Sequence, residues 1–144
     1  MTVITWDGKT LAADKQGTTS DMRVVVTKIK RLPSGAVVAW CGTQEGGLEM
    51  AQWYVGGADP TKWPAAQSAP DWTRLVVAEN GKVVYFETRP IPQPLKEPFH
   101  AWGSGRDYAM GALAMGADAK KAVEITSQFC TTCGMGVDSF EVGP

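Results

Sequence analysis

Short apolar runs separated by turn residues dominate the first 41 residues of this 144-residue chain, and that pattern is typical of β-strands. Asp7-Gly8 and Pro33-Ser34-Gly35 are the turn residues that join two pairs of such runs. Both Val24-Val25-Val26 and Val37-Val38-Ala39-Trp40 are apolar throughout, as expected for strands covered on both faces. The predicted strands cover residues 3–6, 9–14, 24–32 and 36–41.

The spacing then changes to that of a helix over residues 43–55. Gly56-Gly57 supplies the signal that ends this helix. Prolines exclude a long helix from residues 58–71, which we interpret as a loop with one turn of helix. The apolar stripe of the predicted helix, at positions i, i+3 and i+7, consists of Leu48, Ala51 and Val55.

Asn80-Gly81 is the strongest hairpin signal in the chain and predicts a pair of strands on either side of it. A connector with four prolines follows, and a short strand is expected to end at Gly103. The last predicted strand closes the sequence. In chain order, these strands cover residues 73–78, 82–87, 99–102 and 137–142.

Two helices are predicted between the last two strands. Ser104 and Asp107 have the spacing of a capping box, which places a helix start at Ser104. Asp118 is the expected N-cap of the second helix. The apolar stripes expected to face the core are Tyr108, Ala112 and Met115 in the first helix, and Ala122, Ile125 and Phe129 in the second.

The predicted order β-β-β-β-α-β-β-β-α-α-β consists of hairpin-joined strands with the helices in separate blocks. This order favours antiparallel sheets with helical layers outside them, an α+β plan. A chain of this length is expected to form a single domain over residues 1–144.

Composition narrows the function classes. A net charge of −1 gives no attraction to nucleic acid or to an anionic membrane, so neither is expected as a partner. Three cysteines cannot form a disulfide framework and fit a reducing compartment. No apolar run approaches the ~20 residues that span a bilayer, and the first residues do not resemble a signal peptide. We therefore expect a cytoplasmic protein.

Histidine and cysteine chemistry is weakly indicated. His100 is the only histidine, and a packed or surface strand histidine is its favoured interpretation. Cys130-Thr131-Thr132-Cys133 has the spacing of a redox pair or of half a zinc site. Only Cys41 and His100 remain as further soft ligands, so no metal and no cofactor is expected. Because the motif follows a helix instead of opening one, two small buried residues at a helix end are the favoured interpretation.

Thr2, Asp14 and Lys28 form a candidate catalytic group. If Met1 is removed, Thr2 carries a hydroxyl nucleophile and a free α-amine on the same residue. An α-amine titrates near ~8 and can accept the hydroxyl proton without a histidine. Lys28 nearby would lower the pKa of that amine, and Asp14 would neutralise and orient Lys28.

The first hairpin supplies a geometric condition for this group. A two-residue turn at Asp7-Gly8 would pair Thr2 with Ala13 and send Asp14 to the opposite face. A three-residue turn would pair Thr2 with Ala12 and keep Asp14 on the face of Thr2. We expect the second register, because catalysis by this group requires it.

Several segments together carry a resemblance to a known family. They are Thr2-Val3-Ile4, Asp7-Gly8-Lys9-Thr10-Leu11-Ala12-Ala13-Asp14, Lys28-Ile29-Lys30-Arg31-Leu32, Val37-Val38-Ala39-Trp40-Cys41-Gly42, and Trp102-Gly103-Ser104-Gly105 with Tyr108-Ala109. The chain resembles proteasome β-type subunits, including the bacterial HslV peptidase, which are N-terminal nucleophile (Ntn) hydrolases. The resemblance extends, with shortenings, over nearly the whole chain.

This resemblance implies a four-layer αββα sandwich of two antiparallel sheets flanked by helices, here with a reduced helical layer. It implies a threonine-type peptidase in a homo-oligomeric ring, acting on peptides or unfolded proteins, with an ATP-dependent unfoldase as a further partner. Carried over by position, Thr2 is nucleophile and base, and Asp14 and Lys28 support it. Ser104 belongs to the polar surroundings, and the oxyanion-hole amide falls at Trp40.

Departures from the family pattern leave two other hypotheses open. Cys130 and Cys133 align where the family has Asp and Ser, and residues 58–71 stand where a second helix would lie. Trp40 replaces the usual glycine at the oxyanion position. These departures favour a catalytically inactive ring or scaffold subunit as the alternative. Another amide hydrolase of the Ntn superfamily is the third hypothesis.

Overall fold

The computed structural model describes residues 1–144 and contains eleven strands and three α-helices. The strands are β1 (Ile4–Trp6), β2 (Thr10–Asp14), β3 (Gln16–Thr19), β4 (Met22–Val25), β5 (Ile29–Arg31), β6 (Val37–Cys41), β7 (Arg74–Glu79), β8 (Lys82–Phe86), β9 (Gln93–Pro94), β10 (His100–Trp102) and β11 (Val137–Glu141). The helices are α1 (Gln44–Val55), α2 (Arg106–Ala114) and α3 (Ala119–Phe129). Short 3-10 turns at Pro60–Lys62 and Ala65–Ser68 occupy the proline-rich loop.

Two antiparallel sheets form the centre of the molecule. One has the strand order β10-β1-β2-β11 and the other has the order β5-β6-β7-β8-β9. A separate two-stranded ribbon, β3-β4, extends from the first sheet. The predicted strand over residues 24–32 is therefore wrong, because its two ends pair with different partners. Met22–Val25 pairs with β3, whereas Ile29–Arg31 pairs with β6.

Three hydrophobic clusters separate four layers. The first cluster lies between the two sheets and includes Leu11 and Val76. The second joins the five-stranded sheet to α1, and the third joins the four-stranded sheet to α2 and α3. The architecture is therefore the predicted α+β sandwich with αββα layers, and one outer layer holds α1 as its only α-helix.

The helices bury only part of each predicted stripe, since Ala51 in α1 and Ala122 in α3 are buried but most other members are not. In α1, Leu48 is 44% exposed and Val55 is 54% exposed, while Gly47 and Met50 are buried. A Cβ on Gly47 would overlap the ring of Trp40 in β6. Glycine thus allows this helix to approach the sheet closely, and that contact selects the buried face instead of the larger aliphatic side chains.

The same correction applies to α2 and α3. Tyr108 and Met115 of the predicted α2 stripe are exposed, and Ala109 and Leu113 are buried in their place. In α3, Phe129 is exposed and stacks on Tyr108 with 6.2 Å between ring centroids. Small residues let the two helices pack closely on the sheet, and the large aromatic rings cover the outside.

None of the helices is long and apolar enough to span a bilayer.

Candidate active site

Thr2 lies at the edge of the four-stranded sheet, next to the turn that follows β10. Its backbone nitrogen donates to Ser104 Oγ at 3.1 Å, and the Gly105 N–H donates to its carbonyl oxygen at 3.2 Å. Gly103 has φ +97°, and a Cβ there would overlap the Thr2 carbonyl. Only glycine lets the turn approach this closely. Thr2 itself is 4% exposed, and its hydroxyl has no hydrogen-bond partner in the protein.

Ser104 does not cap α2 as predicted. The N-cap of that helix is Gly105, which has no side chain to accept a hydrogen bond from the helix N–H groups. The serine hydroxyl is therefore available to the nitrogen and carbonyl oxygen of Thr2, at 3.1 and 3.4 Å. The capping-box spacing located the helix start to within two residues, but it predicted the wrong partner for the Ser104 hydroxyl.

Asp14 and Lys28 form a buried ion pair. Lys28 Nζ lies 2.9 Å from Asp14 Oδ1, and the two side chains are 5% and 0% exposed. The carboxylate also accepts three backbone N–H groups, from Val3, Gln16 and Gly134. A buried ion pair offsets its desolvation only when the remaining hydrogen-bonding capacity is used, and this carboxylate meets that condition.

Lys28 also contacts the residue before Thr2. Its Nζ donates to the Met1 carbonyl oxygen at 2.8 Å. That carbonyl belongs to the peptide bond joining Met1 to Thr2. The ammonium group therefore lies at the bond whose cleavage would free the Thr2 amine, and cleavage would leave this N–H donor free.

The first hairpin adopts neither of the two registers that we considered. Ala13 pairs with Ile4 and Ala12 pairs with Thr5, so Thr2 pairs with neither. Asp7 Oδ1 accepts the N–H groups of Lys9 and Thr10, which creates a longer turn than Asp7-Gly8 alone.

The proximity of Asp14 to Thr2 does not depend on the register that we expected. Asp14 is the last residue of β2, and its N–H donates to the Val3 carbonyl at 3.2 Å. From this strand end, its carboxylate reaches the Val3 N–H and Lys28. The ion pair therefore forms beside Thr2 without the register that we required.

Trp40 does not offer its backbone amide to the site. Its N–H donates to the Lys28 carbonyl at 3.0 Å, so the oxyanion position that the resemblance implied is already occupied by a strand hydrogen bond. The residue is 2% exposed, and its indole N–H donates to Gln44 Oε1 at 3.3 Å. The prediction for Trp40 is wrong because its amide takes part in the pairing of the sheet.

Gly42, two residues further on, has the free amide. It follows the last residue of β6 with φ +140°, and its N–H has no acceptor in the protein. It lines both clefts at Thr2. The sequence carried a signal for it, since Gly42 is the only glycine in the matched segment over residues 37–42.

Two clefts meet at Thr2. The larger is about 910 Å³ and extends along the β3-β4 ribbon, and the smaller is about 390 Å³ and extends towards Trp72 and Arg74. Met1, Thr2 and Gly42 belong to both. Thr2 therefore lies where the linings of the two clefts overlap.

Thr132 is a polar neighbour that sequence reasoning missed. Its hydroxyl lies 3.3 Å from Ser104 Oγ and 3.2 Å from Cys130 Sγ. Cys133 Sγ lies 3.9 Å from the same serine oxygen. Thr132 therefore contacts the serine that holds the Thr2 nitrogen, and the spacing of the cysteine motif contained no signal for this contact.

The histidine and the three cysteines differ in burial and in surroundings. His100 is in β10 beside the Trp102 ring, and burial holds the pKa of its imidazole below the ordinary value. Burial raises the pKa of the Cys41 thiol. Cys133 is buried but Cys130 is only half-buried, so the prediction of two buried residues is wrong for Cys130. No cluster of three or more histidine, cysteine or acidic side chains could hold a metal ion.

Comparison with known proteins gives structural matches only. No known protein-family model and no curated protein sequence matches the chain. Thiobacillus denitrificans BPH in complex with epoxomicin is similar at 20% identity, with a TM-score of 0.75 and 100% of both chains covered. HslV from Trypanosoma brucei is similar at 16% identity, with a TM-score of 0.70 and 99% of both chains covered.

A third solved structure is more distant in sequence. The Gly-1 mutant of Anbu from Hyphomicrobium sp. strain MC1 is 12% identical, with a TM-score of 0.72 over 99% of this chain and 82% of its own. All three matches include nearly every residue of this chain, so the likeness concerns the whole sandwich and not one layer. The chain therefore has the fold of the proteasome-like Ntn hydrolases.

Proposed function

We propose that this protein is a threonine-type peptidase that uses Thr2 as nucleophile after removal of Met1. The observation that carries the proposal is the surroundings of Thr2. A buried Lys28–Asp14 pair, the Ser104 hydroxyl and the free Gly42 amide all lie around one threonine at the junction of two clefts. The structural likeness to BPH and HslV supports the same class of chemistry.

In the first half of the proposed reaction, Thr2 Oγ attacks the carbonyl carbon of the substrate amide. The α-amine of Thr2 accepts the hydroxyl proton as the new bond forms. The oxyanion accepts the Gly42 N–H. The amine then passes the proton to the leaving nitrogen, the C–N bond breaks, and an ester on Oγ remains.

Water completes the reaction. The α-amine takes a proton from water, whose oxygen attacks the ester carbonyl. When the ester bond breaks, Oγ regains the proton and the second product leaves as a carboxylic acid. Each half-reaction returns the amine to its neutral state, so one residue serves as nucleophile and base and no metal or cofactor takes part.

Lys28 contributes charge and not proton transfer in this proposal. Its ammonium group is fixed by Asp14, and removal of Met1 frees the N–H donor that now contacts the Met1 carbonyl. A fixed positive charge beside the Thr2 amine favours the neutral, proton-accepting form of that amine. Ser104 holds the nitrogen of Thr2 in place.

Assembly and partners are part of the same proposal. We infer self-association into a homo-oligomeric ring, supported by the likeness to HslV and BPH. The inferred substrates are peptides or unfolded proteins, which fit two open clefts meeting at the nucleophile. An ATP-dependent unfoldase and a cytoplasmic location stay predictions from the sequence. Light scattering on the purified protein would measure the number of subunits.

A non-catalytic ring or scaffold subunit is the second candidate function. A chain that retained Met1 would keep the Lys28 ammonium group satisfied by the Met1 carbonyl, 2.8 Å away, and its Thr2 amine would be blocked. In that case the fold and self-association would be the functional features.

Intact mass spectrometry with and without epoxomicin tests the two candidates. For the peptidase we expect loss of the Met1 mass and an adduct on the wild type. Thr2→Ala should give no adduct, while Thr2→Ser keeps a hydroxyl and an amine and should still react. Thermal unfolding of each variant controls for folding. Retained Met1 with no adduct would contradict the peptidase and support the non-catalytic subunit.

A further inference from the structure

Cys130 and Cys133 are held close together by a tight turn at the end of α3. The Cys133 N–H donates to the Cys130 carbonyl at 3.3 Å, and the two sulfur atoms are 3.6 Å apart. A four-residue turn brings its end Cα atoms within about 7 Å, and disulfides need about 4.4–6.8 Å. The backbone is therefore already suited to a bond between these two residues.

The two thiols are unequal. Burial opposes ionisation of Cys130, but hydrogen bonds from Thr132 outweigh it and hold the pKa of this thiol below its ordinary value. Burial, together with the nearby Asp14 carboxylate, raises the pKa of Cys133 to about 12. The more exposed Cys130 therefore supplies the thiolate, which is the attacking species in thiol–disulfide exchange.

A cleft gives access to the pair from outside. It measures about 330 Å³, is not lined by Thr2 or Ser104, and shares only Gln16 with the larger cleft at Thr2. Both cysteines line it, and Arg23, Ser127 and Gln128 are among its other walls. A small disulfide molecule can thus reach Cys130 without passing the candidate active site.

We propose that Cys130 and Cys133 form a reversible dithiol–disulfide site that is oxidised by small-molecule disulfides. The Cys130 thiolate attacks one sulfur of the reagent, which forms a mixed disulfide and releases one thiolate. Cys133 then loses its proton and attacks Cys130 Sγ, which releases the second thiolate. The two protein thiols are oxidised, and one disulfide molecule is reduced to two thiols.

Formation of the Cys130–Cys133 disulfide would change the packing of the turn that contacts Thr2. Cys133 Sγ lies 3.9 Å from Ser104 Oγ and packs against Gly105, where a Cβ would lie only 2.9 Å from this sulfur. The Gly105 N–H in turn donates to the Thr2 carbonyl. The sulfur atoms must close from 3.6 Å to about 2.05 Å, so oxidation shifts an atom packed on this turn.

The test treats the reduced protein with bis(2-hydroxyethyl) disulfide, followed by trypsin digestion and mass spectrometry. Lys121 is the last basic residue, so both cysteines fall in one carboxyl-terminal peptide and Cys41 in another. We expect the wild type to lose two hydrogens from that terminal peptide and to regain them with dithiothreitol. Cys41→Ser, the matched control, should behave like the wild type.

The single variants separate the two steps. Cys133→Ser should stop at one mercaptoethanol adduct on Cys130, and Cys130→Ser should form neither the adduct nor the bond at a comparable rate. An unreacted terminal peptide, or a wild type that stops at the mixed disulfide, would overturn the site. In ¹H–¹⁵N spectra the Gly105 amide signal should move on oxidation while that of Gly35 stays in place. An unmoved Gly105 signal would overturn the link to Thr2.

Discussion

The nitrogen of Thr2 lies 3.1 Å from the hydroxyl oxygen of Ser104, although 102 residues separate them in the chain. The contact exists because β10 pairs with β1 in register, with Trp102 opposite Ile4. The chain leaving β10 must then pass the residues that precede β1. The closeness of Thr2 to Ser104 is thus a consequence of strand pairing.

Ser104→Ala should slow the reaction of Thr2 with epoxomicin about ten- to a hundredfold. The Thr2 amine becomes positively charged when it accepts the hydroxyl proton, and a hydrogen bond to a charged group contributes about 1.5–3 kcal/mol. The variant removes the Ser104 hydroxyl that makes this bond. The rate of adduct formation by mass spectrometry is the measurement. Ser104→Thr keeps a hydroxyl and should restore most of the rate. Ser127→Ala, whose hydroxyl bonds only to the Val123 carbonyl in α3, is the control. An unchanged rate for Ser104→Ala would contradict the role of Ser104.

Asp14→Asn should reduce the free energy of unfolding by about 3–5 kcal/mol. The substitution leaves the Lys28 ammonium buried without its counter-charge, which is more costly than the absence of both charges. Adding Lys28→Met to this variant should therefore recover part of the loss. Urea denaturation measures all three proteins.

The control for this ion pair is Glu141→Gln. Glu141 pairs with Lys9 at 3.1 Å, but the two side chains are 69% and 72% exposed. Solvent screens such a pair, so its removal should change stability little. An equal loss in Asp14→Asn and Glu141→Gln would contradict the importance of burial.

Gly103→Ala should destabilise the protein more than Gly116→Ala, by about 1–3 kcal/mol. Both glycines have φ near +100°, so alanine meets the same backbone strain at either position. A Cβ at Gly116 meets nothing within 4 Å, whereas at Gly103 it overlaps the Thr2 carbonyl. Thermal unfolding of both variants measures the difference. Equal losses would show that strain alone explains the effect.

Stability should fall as the pH is lowered below about 6.5, the ordinary pKa of histidine. Burial lowers the pKa of His100 in the folded protein, so the unfolded chain binds a proton at a higher pH than the folded one. The folded state therefore loses stability as the pH falls from the pKa of the imidazole in the unfolded chain through its lower pKa in the folded protein.

Urea midpoints between pH 5 and pH 7.5 measure this dependence. His100 is the only histidine, so His100→Gln should remove most of the slope in this range. The same slope in the wild type and in His100→Gln would assign it to other groups.

Local signals in the sequence predicted those features that depend only on neighbouring residues. Asn80 and Gly81 both have positive φ, as the predicted hairpin turn requires. Asp118 accepts the N–H of Lys121, as an N-cap does. The buried helix faces were predicted only in part, because close contacts such as that between Gly47 and Trp40 depend on the partner layer and not on hydrophobic spacing.

The sequence by itself determined the α+β plan, the positions of most strands and helices, and the group Thr2, Asp14, Lys28 and Ser104 as candidates. Turn residues, caps and strand periodicity act over a few residues, so the chain records them directly. Only the tertiary structure decided that the Trp40 amide is occupied, that the Gly42 amide is free, and that Thr132 and Cys133 contact Ser104. These outcomes depend on strand register and on contacts between distant segments, where a shift of one residue redirects every side chain.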